Sequence, residues 1–174
     1  MPGVRKGSRS WASNMFGRRL AKRAEPRVEV RPAVAEDWRG FLVLVEALYQ
    51  ELGEDRPPER RLITLFDDAV APSPFKLFFA VVEDELCGMV SLAIVPTTQA
   101  AGCFAYLDDV FVLEQHRGQG IGAELMREAL NNARKSGCVR VELGTRRDNV
   151  HARRLYERLG FQELDGVRYW LMLR

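Results

Sequence analysis

Leu107-Asp108-Asp109-Val110-Phe111-Val112, followed after a short spacer by Arg117-Gly118-Gln119-Gly120-Ile121-Gly122-Ala123, is the stretch that decides the fold. The first block is an apolar run of strand length broken by two acids. The second places three glycines behind an arginine at the start of a helical pattern, in which Ile121, Leu125, Ala129, Leu130 and Ala133 are apolar and Gly137 is the stop. Glycine lets a backbone pass close to a ligand, and the first amides of a helix have no internal partner. A strand, a glycine turn and a helix N-terminus together make a phosphate site.

Working outward, Val28-Glu29-Val30-Arg31 alternates and stops at Pro32, a short strand. Trp38, Phe41, Leu42, Val45, Leu48, Tyr49 and Leu52 recur at helical steps, giving a helix from about Glu36-Asp37 to Gly53. Pro57-Pro58 opens a second helix with Leu62, Leu65, Phe66 and Ala69 on one face. Lys76–Val82 and Leu86–Val95 read as a hairpin about Glu83-Asp84-Glu85, and Phe104–Val112 as the next antiparallel strand. Beyond the glycine helix come a strand at Val139–Leu143, a helix at Val150–Leu159 capped by Gly160, and two closing strands, Phe161–Leu164 and Tyr169–Leu173. The expected architecture is α/β (α+β): a mixed sheet of about six to seven strands with helices on both faces.

A chain of 174 residues with 47% apolar and 29% charged residues fits one domain with a tail, and excludes disordered, collagen-like and disulfide-scaffold classes. No apolar run approaches the ~20 residues of a membrane span. Residues 1–26 read as a basic arm preceding a domain at 27–174; through Arg27 the chain carries eight basic residues and one acid, while the whole chain is +2. The arm reads as a solvated tail, or an over-long start with Met15 as initiator, against a nucleic-acid contact or a transit peptide. Cys87, Cys103 and Cys138 lie among apolar strand residues and are expected as buried thiols rather than metal ligands. With no apolar leader, a reducing, cytoplasmic setting is expected.

Two other phosphate motifs compete. Gly118-x-Gly120-x-x-Ala123 matches a dinucleotide fingerprint, and Glu142 falls where a ribose-binding acid would stand. Leu113–Arg117 separates strand from turn, however, and too little chain follows Gly122 for a second nucleotide-binding half. A phosphate loop of the Gly-Lys-Ser/Thr kind is excluded because no such triplet follows.

Arg117-x-x-Gly120-x-Gly122, preceded by Leu107–Val112 and followed by Asn149-x-x-Ala152-x-x-Leu155-Tyr156-x-x-Leu159-Gly160-Phe161, closely resembles the GNAT acetyltransferase superfamily across residues 28–174. The resemblance implies an acetyl-CoA-dependent N-acetyltransferase, with the sheet splayed between its fourth and fifth strands. The pyrophosphate would lie on Arg117, Gly118, Gln119, Gly120, Ile121 and Gly122. The pantetheine arm would lie along Val110, Phe111 and Val112, with Asn149 bonding it. Tyr156 would protonate the leaving thiolate. Asp108, where polyamine-type members carry glutamate, would be the general base, with Asp109 the runner-up.

No Ser or Cys nucleophile is paired with a His base, so direct attack in a ternary complex is the simplest scheme, with the amide of Val112 or a neighbour as oxyanion donor. His116 and His151 read as loop residues. No metal is called for. A small-molecule amine is the expected acceptor; a protein or peptide acceptor, or a non-catalytic acyl-CoA-binding module, is the alternative. A homodimer stays open.

Overall fold

The computed structural model describes residues 27–98 and 101–166, together with Leu171. Strand β1 (Glu29–Pro32) leads through a 3₁₀ turn (Ala35–Asp37) into helix α1 (Trp38–Leu52) and helix α2 (Glu59–Val70). Strands β2 (Phe75–Val82), β3 (Glu85–Thr97) and β4 (Gly102–Val112) follow. After a second 3₁₀ turn (Glu114–His116) come helix α3 (Ile121–Lys135), strand β5 (Cys138–Leu143) and helix α4 (Val150–Arg158).

The boundaries have local causes. Gly53 ends α1 in the left-handed region at φ +69°, and Pro58 stands immediately before α2. Glu83 and Asp84, at φ +50° and +66°, close the β2–β3 hairpin with the paired positive φ values that match strand twist. Asp37 accepts Arg31 Nη1 at 2.7 Å, Arg31 Nη2 at 2.8 Å and the Val34 amide at 2.9 Å, which ties β1 to the start of α1. Burial alone would raise the Asp37 pKa; the Arg31 and Val34 hydrogen bonds and the Arg31 charge outweigh it and hold the carboxyl below its ordinary value.

The strands form one sheet in the order β1-β2-β3-β4-β5, antiparallel except for the parallel β4–β5 pair. Side chains alternate along β2, so Phe78, Ala80 and Val82 meet Leu125, Met126 and Ala129 of α3, while Leu77 and Phe79 meet Phe41, Leu44 and Phe66 of α1 and α2. The α1–α2 side is aromatic: Phe41 stands 5.2 Å from Phe66 and 6.2 Å from Phe79, centroid to centroid. Helices thus cover both faces, as the alternation predicts. No helix among the described residues is long and apolar enough to cross a membrane.

Three expectations change. The sheet has five strands among the described residues rather than six to seven. Phe161–Leu164 is not a strand, because Phe161 is spent on ending α4: its amide reaches Tyr156 O at 3.0 Å, the Gly160 amide reaches Glu157 O at 3.0 Å, and Gly160 sits at φ +91°. That is a Schellman cap, completed by the Tyr156–Phe161 ring contact. The expected strand at 169–173 lies outside the described residues except for Leu171, which is irregular. The β4–β5 pairing runs from Cys103↔Cys138 to Leu107↔Leu143 and defines no splay; β4 simply continues to Val112 past its last partner. Finally, Cys87 is buried, but Cys103 and Cys138 are only half-buried.

Candidate functional site

The glycine loop is built as its sequence requires. Gly118 and Gly120 adopt φ +75° and +82°, and Gly120 is the residue on which α3 begins. The amides of Ala123 and Glu124 both close on Gly120 O, at 2.9 and 3.2 Å. Those of Gly118, Gln119, Gly120, Ile121 and Gly122 donate to no backbone carbonyl in the described turns and caps. A Cβ at Gly118 or Gly120 would meet no atom within 4 Å, so this face of the loop is open. Unpaired amides, positive φ and the positive end of a long helix fit a polyphosphate.

Arg117 does a different job. Its Nε donates to Val112 O at 2.8 Å, its Nη2 pairs with Glu51 of α1, and its guanidinium stands 5.7 Å from the Phe111 ring centre. The side chain staples the loop to the end of β4 and to α1. Gln119 likewise folds back, donating from Nε2 to Gln115 O at 3.3 Å.

Beside the loop, β4 carries a bulge. Met89 pairs with Phe111 and Ser91 with Asp108, so β4 contributes one more residue than β3 between those pairs. Asp109, at φ +48°, takes up the extra residue. The bulge reverses the alternation: Ala105 and Leu107 face α3 before it, Val110 and Val112 after it, and Phe111 turns into the α1–α2 core. In the sequence the only trace of this bulge is the pair of adjacent acids, Asp108-Asp109, in an otherwise apolar strand.

Backbone directions follow from the ladder. The Leu113 amide donates to Cys87 O at 2.9 Å, so the adjacent Gly88↔Val112 pair is a non-bonded one whose peptide groups point away from β3. The Val112 N–H therefore points past the end of β5, and the Phe111 main chain points to β3. Gly88 makes this close approach feasible, since a Cβ there would lie 2.8 Å from Phe111 O.

The two acids are divided between two tyrosines. Tyr156 of α4 is 8% exposed, and its pKa is pushed up by burial and then by the charge of Asp108. Tyr49 of α1 is pushed up by burial and then by Asp109 and Glu54. Ser91 Oγ, on a buried residue, donates to Asp109 Oδ2 at 3.4 Å. Solvent still reaches Asp109, yet the surrounding protein withdraws enough hydration to raise its pKa, and Asp108 raises it further while Ser91 opposes both. Ser91 was not singled out from sequence, and Tyr49 only as a position on a helix face, because nothing in their spacing links them to β4.

Asn149 is the N-cap of α4, its Oδ1 accepting the Ala152 amide at 3.1 Å, which leaves the N–H groups of its side-chain amide for a ligand. His151 is exposed and His116 half-buried beside the loop. Among the described residues no three His, Cys, Asp or Glu side chains come together as a metal site.

A family model described as "Acetyltransferase (GNAT) family" matches residues 33–161. The thialysine N-epsilon-acetyltransferase of Mus musculus is 38% identical over 69 residues, 40% of this chain and 41% of that protein, so the chain matches about two fifths of that relative's length. The aminoalkylphosphonate N-acetyltransferase of Salmonella typhimurium is 30% identical over 139 residues, 79% of this chain and 87% of that protein. The fold is also that of the aminoglycoside N-acetyltransferase AAC(6')-Iy in complex with CoA: TM-score 0.73 at 16% identity, covering 85% of this chain and 96% of that one.

Proposed function

Since the chain belongs to the GNAT acetyltransferase family, we propose that it transfers an acetyl group from acetyl-CoA to the amine of a small molecule by direct attack in a ternary complex. The observation that carries this reading is the run of unengaged amides from Gly118 to Gly122 at the head of α3, beside the open end of β4. That the two sequence relatives above are named for small amines supports a small-molecule acceptor.

Acetyl-CoA, as co-substrate, would lay its pyrophosphate on the loop amides. Its pantetheine arm would follow Val110, Phe111 and Val112, where β4 runs on past Leu107↔Leu143, with Asn149 Nδ2 as a donor to it. The outward N–H of Val112 is then the donor aimed at the thioester oxygen as it gains charge. Asp108 takes the proton from the acceptor ammonium, directly or through a water, so that the neutral amine attacks. Tyr156, kept protonated by burial and by Asp108, gives its proton to the departing thiolate and regains one from the nitrogen as the amide forms. No metal is needed for this sequence. The enzyme works in the cytoplasm, and residues 1–26 are an arm outside the catalytic unit.

The test is thiol release from acetyl-CoA across a panel of amines, polyamines, amino acids, aminoglycosides and peptides. A small amine that drives stoichiometric release supports the reading. Binding of acetyl-CoA with no release for any acceptor favours a non-catalytic binding module. A rise in melting temperature with NADH and none with acetyl-CoA overturns it.

A further inference from the structure

Cys103 lies at the start of β4 and Cys138 opens β5, and the parallel register makes them direct partners. Their sulfurs are 3.4 Å apart. Both residues are half-buried, so a small reagent can reach them, and Cys103 Sγ also lies 3.6 Å from Ser136 O at the end of α3. From this geometry we propose that Cys103 and Cys138 are a modification site, oxidised reversibly by a small disulfide to a bond that staples β4 to β5.

The backbone already meets the requirements. Neighbouring strands lie about 4.7–4.9 Å apart, inside the Cα separation of roughly 4.4–6.8 Å that a disulfide spans. The sulfurs are in contact, so side-chain rotation rather than strand movement brings them to bonding distance. The third thiol does not compete: Cys87 is buried, and its Sγ is engaged with Ala80 O at 3.3 Å. Burial, then the Cys103 hydrogen bond and charge, push the Cys138 thiol up to about 11, so Cys138 rests as a thiol at neutral pH.

The chemistry closes. One cysteine loses its proton and its thiolate attacks the small disulfide, forming a mixed disulfide and expelling one small thiolate. The second cysteine loses its proton and attacks the protein sulfur of that mixed disulfide, forming the Cys103–Cys138 bond and expelling the second small thiolate. Two electrons pass from the pair to the reagent, and both protons end on the two released thiols.

The bond would join the strands at their starts, at the opposite end of β4 from Asp108–Val112. It closes a chain segment of 35 steps that includes all of α3, which restricts the unfolded chain strongly and touches the site little.

The full-length protein is incubated with an excess of oxidised glutathione, then examined by intact mass, thiol titration under denaturing conditions, non-reducing peptide mapping and thermal melting. Expected are a mass lower by two hydrogens, a fall from three titratable thiols to one, a Cys103–Cys138 linked peptide, and a melting temperature higher by roughly 5–12 °C that dithiothreitol reverses. Cys103→Ser and Cys138→Ser should each abolish the linked species and the shift. Cys87→Ala should still give the linked peptide; should it not fold, differential labelling of Cys87 in the parent protein assigns the remaining thiol. A protein that stops at the glutathione adduct, a bond involving Cys87 or a second molecule, or a lower melting temperature in the linked form would each overturn the proposal.

Discussion

Replacing Tyr156 with Phe isolates one proton. The ring is 8% exposed, belongs to the core on the α3 side of the sheet, and meets Phe161 edge-on at 5.9 Å and 62°. Phe preserves those contacts. Only the hydroxyl is lost, and stability should shift by no more than ~0.5 kcal/mol, about 1–2 °C. Catalysis should respond on another scale. A positioned acid contributes about 10²–10⁴-fold, or roughly 3–5 kcal/mol of transition-state stabilisation. Because charge appears on sulfur only as the bond breaks, kcat and kcat/KM should fall together while the acetyl-CoA dissociation constant holds. Burial and Asp108 raise the Tyr156 pKa, so the wild-type rate should fall through this group only above the ordinary tyrosine range. The assay is thiol release under saturating acetyl-CoA, alongside calorimetric titration. An acetyl thioester of a more acidic thiol should narrow the gap between variant and parent, since a better leaving group needs less protonation. Turnover within about twofold of the parent, or an equal defect with both thioesters, would refute the assignment and leave Tyr156 a core aromatic.

Gly120→Asp should fold, since its Cβ meets nothing within 4 Å, but should lose the thermal shift with acetyl-CoA by setting a carboxylate on the amide cradle; a retained shift would move the phosphate site elsewhere. Asp108→Asn should lose rate most at low pH and recover as more acceptor amine becomes neutral in solution, whereas a pH-independent loss would remove it as base. Asp109→Asn tolerates the same positive φ. Because the parent pKa is raised, ionising Asp109 costs stability above that pKa; the variant should melt higher at neutral pH, with the gain vanishing as pH falls through it, as melting curves across pH 3–7 would show. Arg31→Met leaves Asp37 buried without its two short hydrogen bonds and should cost about 2 kcal/mol in urea unfolding. In the parent this contribution is present above the ordinary Asp range and lost as pH falls through the depressed Asp37 pKa, so the two curves should converge in acid.

What was legible in the sequence was whatever repeats or punctuates. Helical spacing located α1 and α3 because one face of each must be apolar, and Gly53, Gly137 and Gly160 marked stops because each holds a positive φ. The glycine loop was legible because few other residues adopt Gly118 and Gly120's backbone at low cost. The bulge was not: alternation is a rule about paired strands, and where Asp109 inserts an unmatched residue only the partner strand records it. The Arg117 side chain's partner was hidden for a related reason. A side chain's nearest anion depends on what folding brings up, and here Glu51, far away in sequence, arrives with α1. Phe161 looked like a strand residue by composition alone, while its cap depends on Gly160 and on a ring one turn back.

The bulge gives β4 something like a reading frame. Up to Leu107 the strand is written in one phase, and from Val110 in the other, with Asp109 as the shift between them. Delete one residue there and the downstream letters change sides: Phe111 would leave the aromatic packing of α1 and α2 for the α3 face, Val112 would move the opposite way, and Val112's outward amide would turn into the ladder. No single substitution could restore the phase; only a compensating insertion before Val112 could. Length changes at the Glu83-Asp84 turn alter a hairpin tip. Between Leu107 and Val112 they re-assign which half of the protein each residue belongs to.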